Sequence, residues 1–404
     1  MFKRIIEYLR GVLEKMFKRD TLKTVVGAKI TLSNEMIQKI ESWDKMLKGK
    51  ADWIGGDIVS MRLEQAICKE FTNVAVSEME SGVSDEILDE LYQKAIVRLN
   101  EEMQTGLALG AFAIKPLGAT GEVEYIPADR IIPIEYNSDG KLTKCAFVQI
   151  KPSGERDIYY RIEIHEHQNK GLHIVNKAYL GDNSTIGHEI SLESVEEWSS
   201  LMPEVFYPGM DRMDFGFYRN PIPNHIDGSY NGISVYENAV EQIKRADFQY
   251  SRLEWEFESA ERAVFADYTA VMKTGNGNSF ELPKNKRRLF IGINPEDDKG
   301  LQEHSPTIRE QNFINGLNEY LRKVEFNSGL AYGDLSKNET VEKTATEIRT
   351  SKQRKYNAVN AIQKNLKQCL EDLVYAIAFY QAKYFSGFEF NCVFHDSILT
   401  DEKE

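Results

Sequence analysis

The sequence predicts an α+β fold. A helical and then β-rich N-terminal part leads into two long antiparallel helices around a small β-rich insert, and a still longer helix closes the chain. Three observations predict it. Apolar residues at Ile243, Ala246, Tyr250, Leu253, Phe257, Ala260 and Val264 are spaced 3-4-3-4-3-4, a heptad seam rather than a general amphipathic face. Ile314, Leu317, Leu321 and Val324 repeat the spacing after a stretch of strand and turn composition. Between these helices and the N-terminal ones, apolar residues alternate in the manner of strands. A helix begun near Val235 and continued to Phe265 is about 40 Å long at ~1.5 Å per residue. It asks for packing partners along its length, from this chain or from others.

The elements follow in order. Residues 34–49 read as a helix capped by Ser33, with Gly49 past its end. Residues 58–80 read as a second, with Met61, Ala66, Ile67 and Phe71 inward, and 85–106 as a third, opened by Ser84 or Asp85. Gly110–Pro116, Glu122–Ile126, Ile131–Tyr136 and Leu142–Ile150 read as strands, with Asn137-Ser138-Asp139-Gly140 a hairpin turn. Two alternating stretches follow, 157–167 and 171–181, then a short helix near Ser191–Trp198 and a strand at Phe215–Tyr218. A Pro-rich connector leads to Ser234, the expected cap of the first seam helix, with Glu237 three residues on. The insert reads as strands at Thr269–Lys273 and Arg288–Ile293 around a Gly275–Asn278 turn. Pro306 restarts helix. After a polar loop, Thr344-Ala345-Thr346-Glu347 is a capping box for a helix to about Phe385, with Val359, Ile362, Leu366, Cys369, Leu373 and Ile377 as its buried stripe. A strand, Phe388–Phe394, and an acidic tail end the sequence.

With 404 residues, 42% hydrophobic and 28% charged, the chain has core enough for two or three domains. A net charge of -13 confines any nucleic-acid contact to a local basic patch. Cys68, Cys145, Cys369 and Cys392 lack metal spacing and read as reduced, buried thiols. No apolar run is long enough to span a bilayer. The first twenty residues are basic and amphipathic, without the apolar core of a signal peptide. They read as a docking helix or arm, with a membrane-surface helix as the alternative.

No catalytic constellation is present: neither phosphate-binding glycine loops nor the zinc-protease and serine-hydrolase motifs occur. His165 and His167 share one strand face, which reads as an exposed polar face before a metal site. Asp297 and Asp298 read as a solvated turn, and Glu254, Glu256, Glu258 and Glu261 as the wet side of the seam. No cofactor and no metal are expected, and an enzyme is not. Arg349, Lys352 and Lys355 form a basic stripe on the last long helix. Phosphate contact is one reading of it; a solvated face, or pairs with a Glu-rich helix of a neighbouring subunit, is the other. Both stand at this point.

Three blocks, in order along nearly the whole chain, carry a family resemblance. They are Tyr125–Ile134, the passage from Phe215–Asn224 through Gly232–Ala239 into the heptad helix, and Thr340–Ile348 followed by Ser351-Lys352-Gln353-Arg354. Together with the helix–insert–helix layout they resemble the portal proteins of tailed bacteriophages, in the portal or minor-capsid group from phages of Gram-positive bacteria. The resemblance implies a ring, usually of twelve subunits, at one capsid vertex of the virion, assembled in the host cytoplasm. It implies an α/β wing over 1–234, a first stem helix over 235–266, a clip over 267–305 and a second stem helix over 306–327. A tunnel loop over 328–343 and a long wing helix with final strand and acidic tail over 344–404 complete it.

The same resemblance implies a conduit for double-stranded DNA during packaging and ejection, without sequence preference. The expected partners are further copies of the chain, the terminase large subunit, a head–tail connector or adaptor protein, and the major capsid and scaffolding proteins; no membrane is among them. It places Ser336, Lys337, Asn338 and Lys343 at the channel, and Lys284, Lys286, Arg287 and Arg288 on the docking surface of the clip. Ile243, Tyr250, Leu253, Phe257 and Val264, with Ile314, Leu317, Leu321 and Val324, become the stem seam. An acidic wall with sparse lysines would let DNA, with a phosphate every ~1.7 Å of axis, pass without stalling. Many family members continue past the final strand into a helical crown; this sequence ends at Asp401-Glu402-Lys403-Glu404, so the crown is absent, short or trimmed off, and pressure sensing by a crown is not assumed. The alternative is another phage or tailocin structural or adaptor protein without a DNA channel. It would not need two long helices around a separate insert.

Overall fold

The computed structural model describes residues 30–153, 157–168, 170–182, 185–261, 263–267, 290–293, 301–337 and 345–395, with 263–267, 290–293, 301–304 and 345–351 described by their backbone. The basic N-terminal stretch, Thr269–Lys273, the Gly275–Asn278 turn and the Asp297-Asp298 turn lie outside the described residues.

The fold is mixed α+β with antiparallel sheets. Its helices are α1 (Asn34–Leu47), α2 (Leu63–Val76), α3 (Glu86–Ile96), α4 (Leu99–Leu109), α5 (Val240–Ser259), α6 (Glu310–Ser328) and α7 (Ala345–Tyr380). Its strands are β1 (Met79–Val83), β2 (Ala111–Pro116), β3 (Val123–Pro127), β4 (Ile131–Tyr136), β5 (Leu142–Ser153), β6 (Asp157–Gln168) and β7 (Gly171–Gly181). Then follow β8 (His188–Ile190), β9 (Glu204–Pro208), β10 (Gly216–Arg219), β11 (Ala263–Asp267), β12 (Phe290–Ile293), β13 (Leu301–His304) and β14 (Phe390–Phe394).

Local chemistry explains the helix starts. The Ser33 hydroxyl accepts the Met36 N–H at 3.1 Å, so α1 begins where its cap predicts. Asp85 does the same for α3, accepting from Ile87 and Leu88. Four helical expectations are corrected. The 58–80 helix ends at Val76, because Met79–Val83 leaves as β1 to pair antiparallel with β14. The 85–106 helix is two, α3 and α4, broken at an exposed Val97. The first seam helix starts at Val240 rather than Val235 and stops at Ser259. Ser234 instead accepts the Tyr236 N–H in the turn before it, and Val264 sits on strand β11. Near Ser191–Trp198 the backbone makes two 3-10 turns rather than one helix.

The largest sheet runs β4-β5-β6-β7-β8, with β9 also on β7. A second sheet, β10-β2-β3, lies under α7. All six expected stripe residues of α7 are buried, at 4% exposure or less. At ~1.5–3 kcal/mol for each large apolar side chain, this one face anchors the C-terminal part. The contact is close: a Cβ on Gly216 of β10 would lie 2.3 Å from the Cys369 carbonyl oxygen of α7. A second close approach joins the end of α4 to the connector. Gly110, at φ +95°, passes Gly232 so tightly that a Cβ would stand 2.4 Å from the Gly232 carbonyl oxygen. In the insert, β11 pairs parallel with β12 and antiparallel with β13.

Candidate functional site

Helices α5 and α6 form an antiparallel hairpin. Near its middle, Gln249 donates to the Phe313 carbonyl at 3.3 Å. At its far end the Arg309 guanidinium clamps Glu256, Nε to Oε1 at 3.0 Å and Nη2 to Oε2 at 2.7 Å. That hydrogen bonding holds the Glu256 carboxyl below its ordinary range. Glu256 is thus a buried clamp, which corrects its reading as part of the wet side.

Within the hairpin Ile243, Leu321 and Val324 are buried, while Tyr250, Leu253, Ile314 and Leu317 are half-buried. Phe257, expected in the seam, is 46% exposed, beside Trp255 at 66%. Ile308, in the approach to α6, is exposed as well. The seam is closed at the base of the hairpin and open toward its tip.

The base is rooted on the N-terminal helices by two carboxylates of the second half of the chain. Asp247 accepts from the Trp53 indole at 2.9 Å and the Met61 N–H at 2.8 Å. Glu237 accepts from the Trp43 indole at 2.6 Å and pairs with Lys39.

After α6 the chain turns through Gly329, at φ +90°, into a loop that ends the described part at Lys337. The composition reads this stretch as a polar loop; in the structure it closes over a carboxylate. Fully buried Glu325 lies under it, and Oε1 accepts from the N–H groups of Gly333, Leu335 and Ser336 at 3.0, 2.6 and 2.7 Å. The Ser336 hydroxyl donates to Oε2 at 2.8 Å. Asn318 of α6 accepts the Lys337 N–H at 2.7 Å. From α7, Arg354 donates to the Leu330 carbonyl and lies over the Phe326 and Tyr332 rings at 4.8 and 4.9 Å. Lys355 pairs with Asp334 at 3.0 Å and Glu70 at 2.6 Å. Burial raises the Asp334 carboxyl, and Lys355 draws it partly back.

These contacts sort the expected site residues. Ser336 is buried and faces Glu325, which corrects its placement at a channel surface. Lys337 is exposed. Asn338, Lys343, Lys284, Lys286, Arg287 and Arg288 lie outside the described residues. Arg349 and Lys352 are on α7, and Lys352 is exposed. Lys355 is buried at 7% and paired within its own chain, so it leaves the outward stripe for which phosphate or a neighbouring subunit was the expected contact.

A second cluster was missed. His165, expected on an exposed polar face, is fully buried. Its Nδ1 lies 2.7 Å from Asp214 Oδ1 and its Nε2 3.1 Å from Glu163 Oε1. Tyr380 of α7 donates to the other Asp214 oxygen at 2.8 Å, and Glu163 also pairs with Lys115 of β2 and, at 3.1 Å, with Arg161. Burial pulls the imidazole down, but the two carboxylates override it and push it up to about 9. Alternation of Arg161, Glu163 and His165 on β6 was the available signal. The partner Asp214 lies about fifty residues on and carried none. The cluster joins the large sheet, β2 and α7, a structural role.

Nearby, a cleft of about 360 Å³ is lined by Lys141, His167, Arg212, Arg219 and Asp372 among others. Its arginines are engaged: Arg212 with Asp372 at 3.0 Å, and Arg219 with the Tyr230 carbonyl. Among the described residues no group of three or more His, Cys, Asp or Glu is placed to hold a metal ion, and no helix is long and apolar enough to cross a membrane.

No protein-family model matches this chain, and no curated protein matches it.

Proposed function

We propose that the chain is the subunit of a ring-forming portal, a conduit for double-stranded DNA at a capsid vertex and a docking platform for the packaging motor and connector proteins. One observation carries the reading. An antiparallel helix pair brackets a small β insert, then feeds a pinned loop into a long helix, in the order that the resemblance requires. In this reading α5 and α6 are the stem, β11, β12 and β13 belong to the clip, and the parts on either side form the wing. The open, aromatic outer half of the hairpin supports it, because Trp255 and Phe257 together leave an apolar surface for a neighbouring subunit. The exposed Lys337, at the end of a loop held firm by Glu325, is suited to sequence-independent phosphate contact. No catalytic role is proposed.

Native mass spectrometry of the purified chain, with particle images of the same sample, tests the proposal. The expected species is a closed ring of about a dozen copies with a central hole, and Trp255→Glu should leave a folded monomer. A chain that stays monomeric or dimeric at high concentration and beside its capsid partners refutes it.

A further inference from the structure

The root of the hairpin contains a carboxylate with no role in holding it. Glu64, in the first turn of α2, is 1% exposed, and its Oε2 has no hydrogen-bond partner. Facing it from α5 is Asp247, also 1% exposed, whose two oxygens are already taken by the Trp53 indole and the Met61 N–H. The other groups around Glu64 give little relief. Cys68 lies one turn on along α2 and is fully buried, and Tyr236, from the turn before α5, gives its hydroxyl to the Trp43 carbonyl. Asp44 of α1 is paired with Lys48. Arg62 is the sole cation that draws Glu64 toward its charged form, and it does so less strongly than Asp247 opposes it. Two buried carboxylates from two elements therefore meet at the root of the hairpin: Asp247 has a donor on each oxygen, while Glu64 is drawn toward its charged form by its own backbone N–H and, more weakly, by Arg62, and its Oε2 is left unpaired.

We propose that Glu64 is a proton-operated latch: it carries a proton when Asp247 of α5 is seated on Trp53 and Met61 just ahead of α2, and losing that proton loosens the root of the hairpin. A protonated Glu64 is neutral beside Asp247 and tolerates burial; an ionised one places an unpaired charge against another. The inference concerns how firmly the hairpin is seated and does not depend on ring formation. Burial, chiefly, with Asp247 adding to it, raises the Glu64 carboxyl from 4.5 to about 7. The docked state thus binds the proton more tightly than a hydrated root does. Docking is strongest below pH 4.5, weakens about tenfold per pH unit up to 7, and levels off about 300-fold weaker above that. At neutral pH the latch stands near its release point.

Hydrogen exchange of the full chain between pH 4.5 and 8.5, corrected for the intrinsic rate, reads this directly. In the wild type, protection of peptides covering α2 and the first half of α5 should fall by up to about 300-fold toward pH 7, while β6 and β7 keep theirs. In Glu64→Gln, which mimics the protonated form, the pH dependence at the root should vanish, with high protection at pH 8. Asp247→Asn should make the fall smaller and complete it at lower pH, because the ionised Glu64 loses its like-charged neighbour while the desolvation remains. An equal pH dependence in wild type and Glu64→Gln overturns the proposal. So does a fall in which root and sheet move together, since the proton would then report on global unfolding. Native mass spectra on the same samples score the ring separately.

Discussion

Removing the Glu325 carboxylate should release the loop after α6 and little else. Its oxygens receive three backbone N–H groups and one hydroxyl, at 2.6–3.0 Å. Hydrogen bonds to a charged group contribute about 1.5–3 kcal/mol each. Ser336 is buried, so both of its donors lose that contribution without regaining water. Gly333 and Leu335 are half-exposed and recover part of theirs. Glu325→Ala should therefore cost about 4 kcal/mol in loop closure, a factor of about 1,000 in protection of the amides of Gly333, Leu335 and Ser336. Glu325→Gln keeps one acceptor oxygen under the N–H groups and offers its amide to the Ser336 oxygen. It should cost about half as much. Urea unfolding with amide exchange at those positions measures both. If the alanine variant exchanges them at the wild-type rate, the carboxylate is not what holds the loop, and the account of Lys337 as a fixed contact point falls with it.

Three further outcomes follow from the geometry. The folded-state proton affinity of His165 is raised, so its stabilisation is full below pH 6.5 and lost as pH climbs to about 9. The loss should total roughly 3 kcal/mol, and thermal unfolding across that range should show the slope in the wild type and not in His165→Gln. Gly110→Ala should destabilise by more than about 1 kcal/mol, because φ is +95° and the new Cβ would meet the Gly232 carbonyl oxygen; a neutral effect on the urea midpoint would contradict the close approach. Lys337→Glu combined with Lys343→Glu should change DNA packaging while rings of normal mass persist, and rings that fail to form would remove both lysines from the channel role.

The chain's local chemistry was legible and its long-range pairing was not. Ser33 and Asp85 announce their helices because a cap acts over three residues. The α7 stripe is legible because one face is continuously apolar. By contrast, β1 was absorbed into a helix because its partner β14 stands about 310 residues away, and nothing beside Met79 signals the pairing. The heptad seam ran past Ser259 because a 3-4 spacing also fits the apolar residues of a following strand; the period alone does not mark where pairing with β13 takes over. His165 and Lys355 failed alike. Each sits in a pattern of a solvated face, and each is turned inward by carboxylates supplied from elsewhere: Asp214 in one case, Glu70 and Asp334 in the other.

That shared failure bears on how the hairpin is held. Its base is rooted by Asp247 and Glu237 and the loop beyond it by Glu325, so carboxylates do the fastening on both sides of the β insert. Each accepts from backbone or indole N–H groups, and such bonds are directional where apolar packing is not. An apolar root would seat the hairpin at many tilts of similar energy. A carboxylate fixed by an indole and a backbone N–H, as Asp247 is, admits one. Toward the tip the Glu256–Arg309 clamp ties the two helices together, and there Trp255 and Phe257 are exposed. The hairpin is therefore directed at its base and apolar at its tip, as the proposed stem would require, and the unpaired Oε2 of buried Glu64 makes its protonation the point at which the proposed latch adjusts the seating.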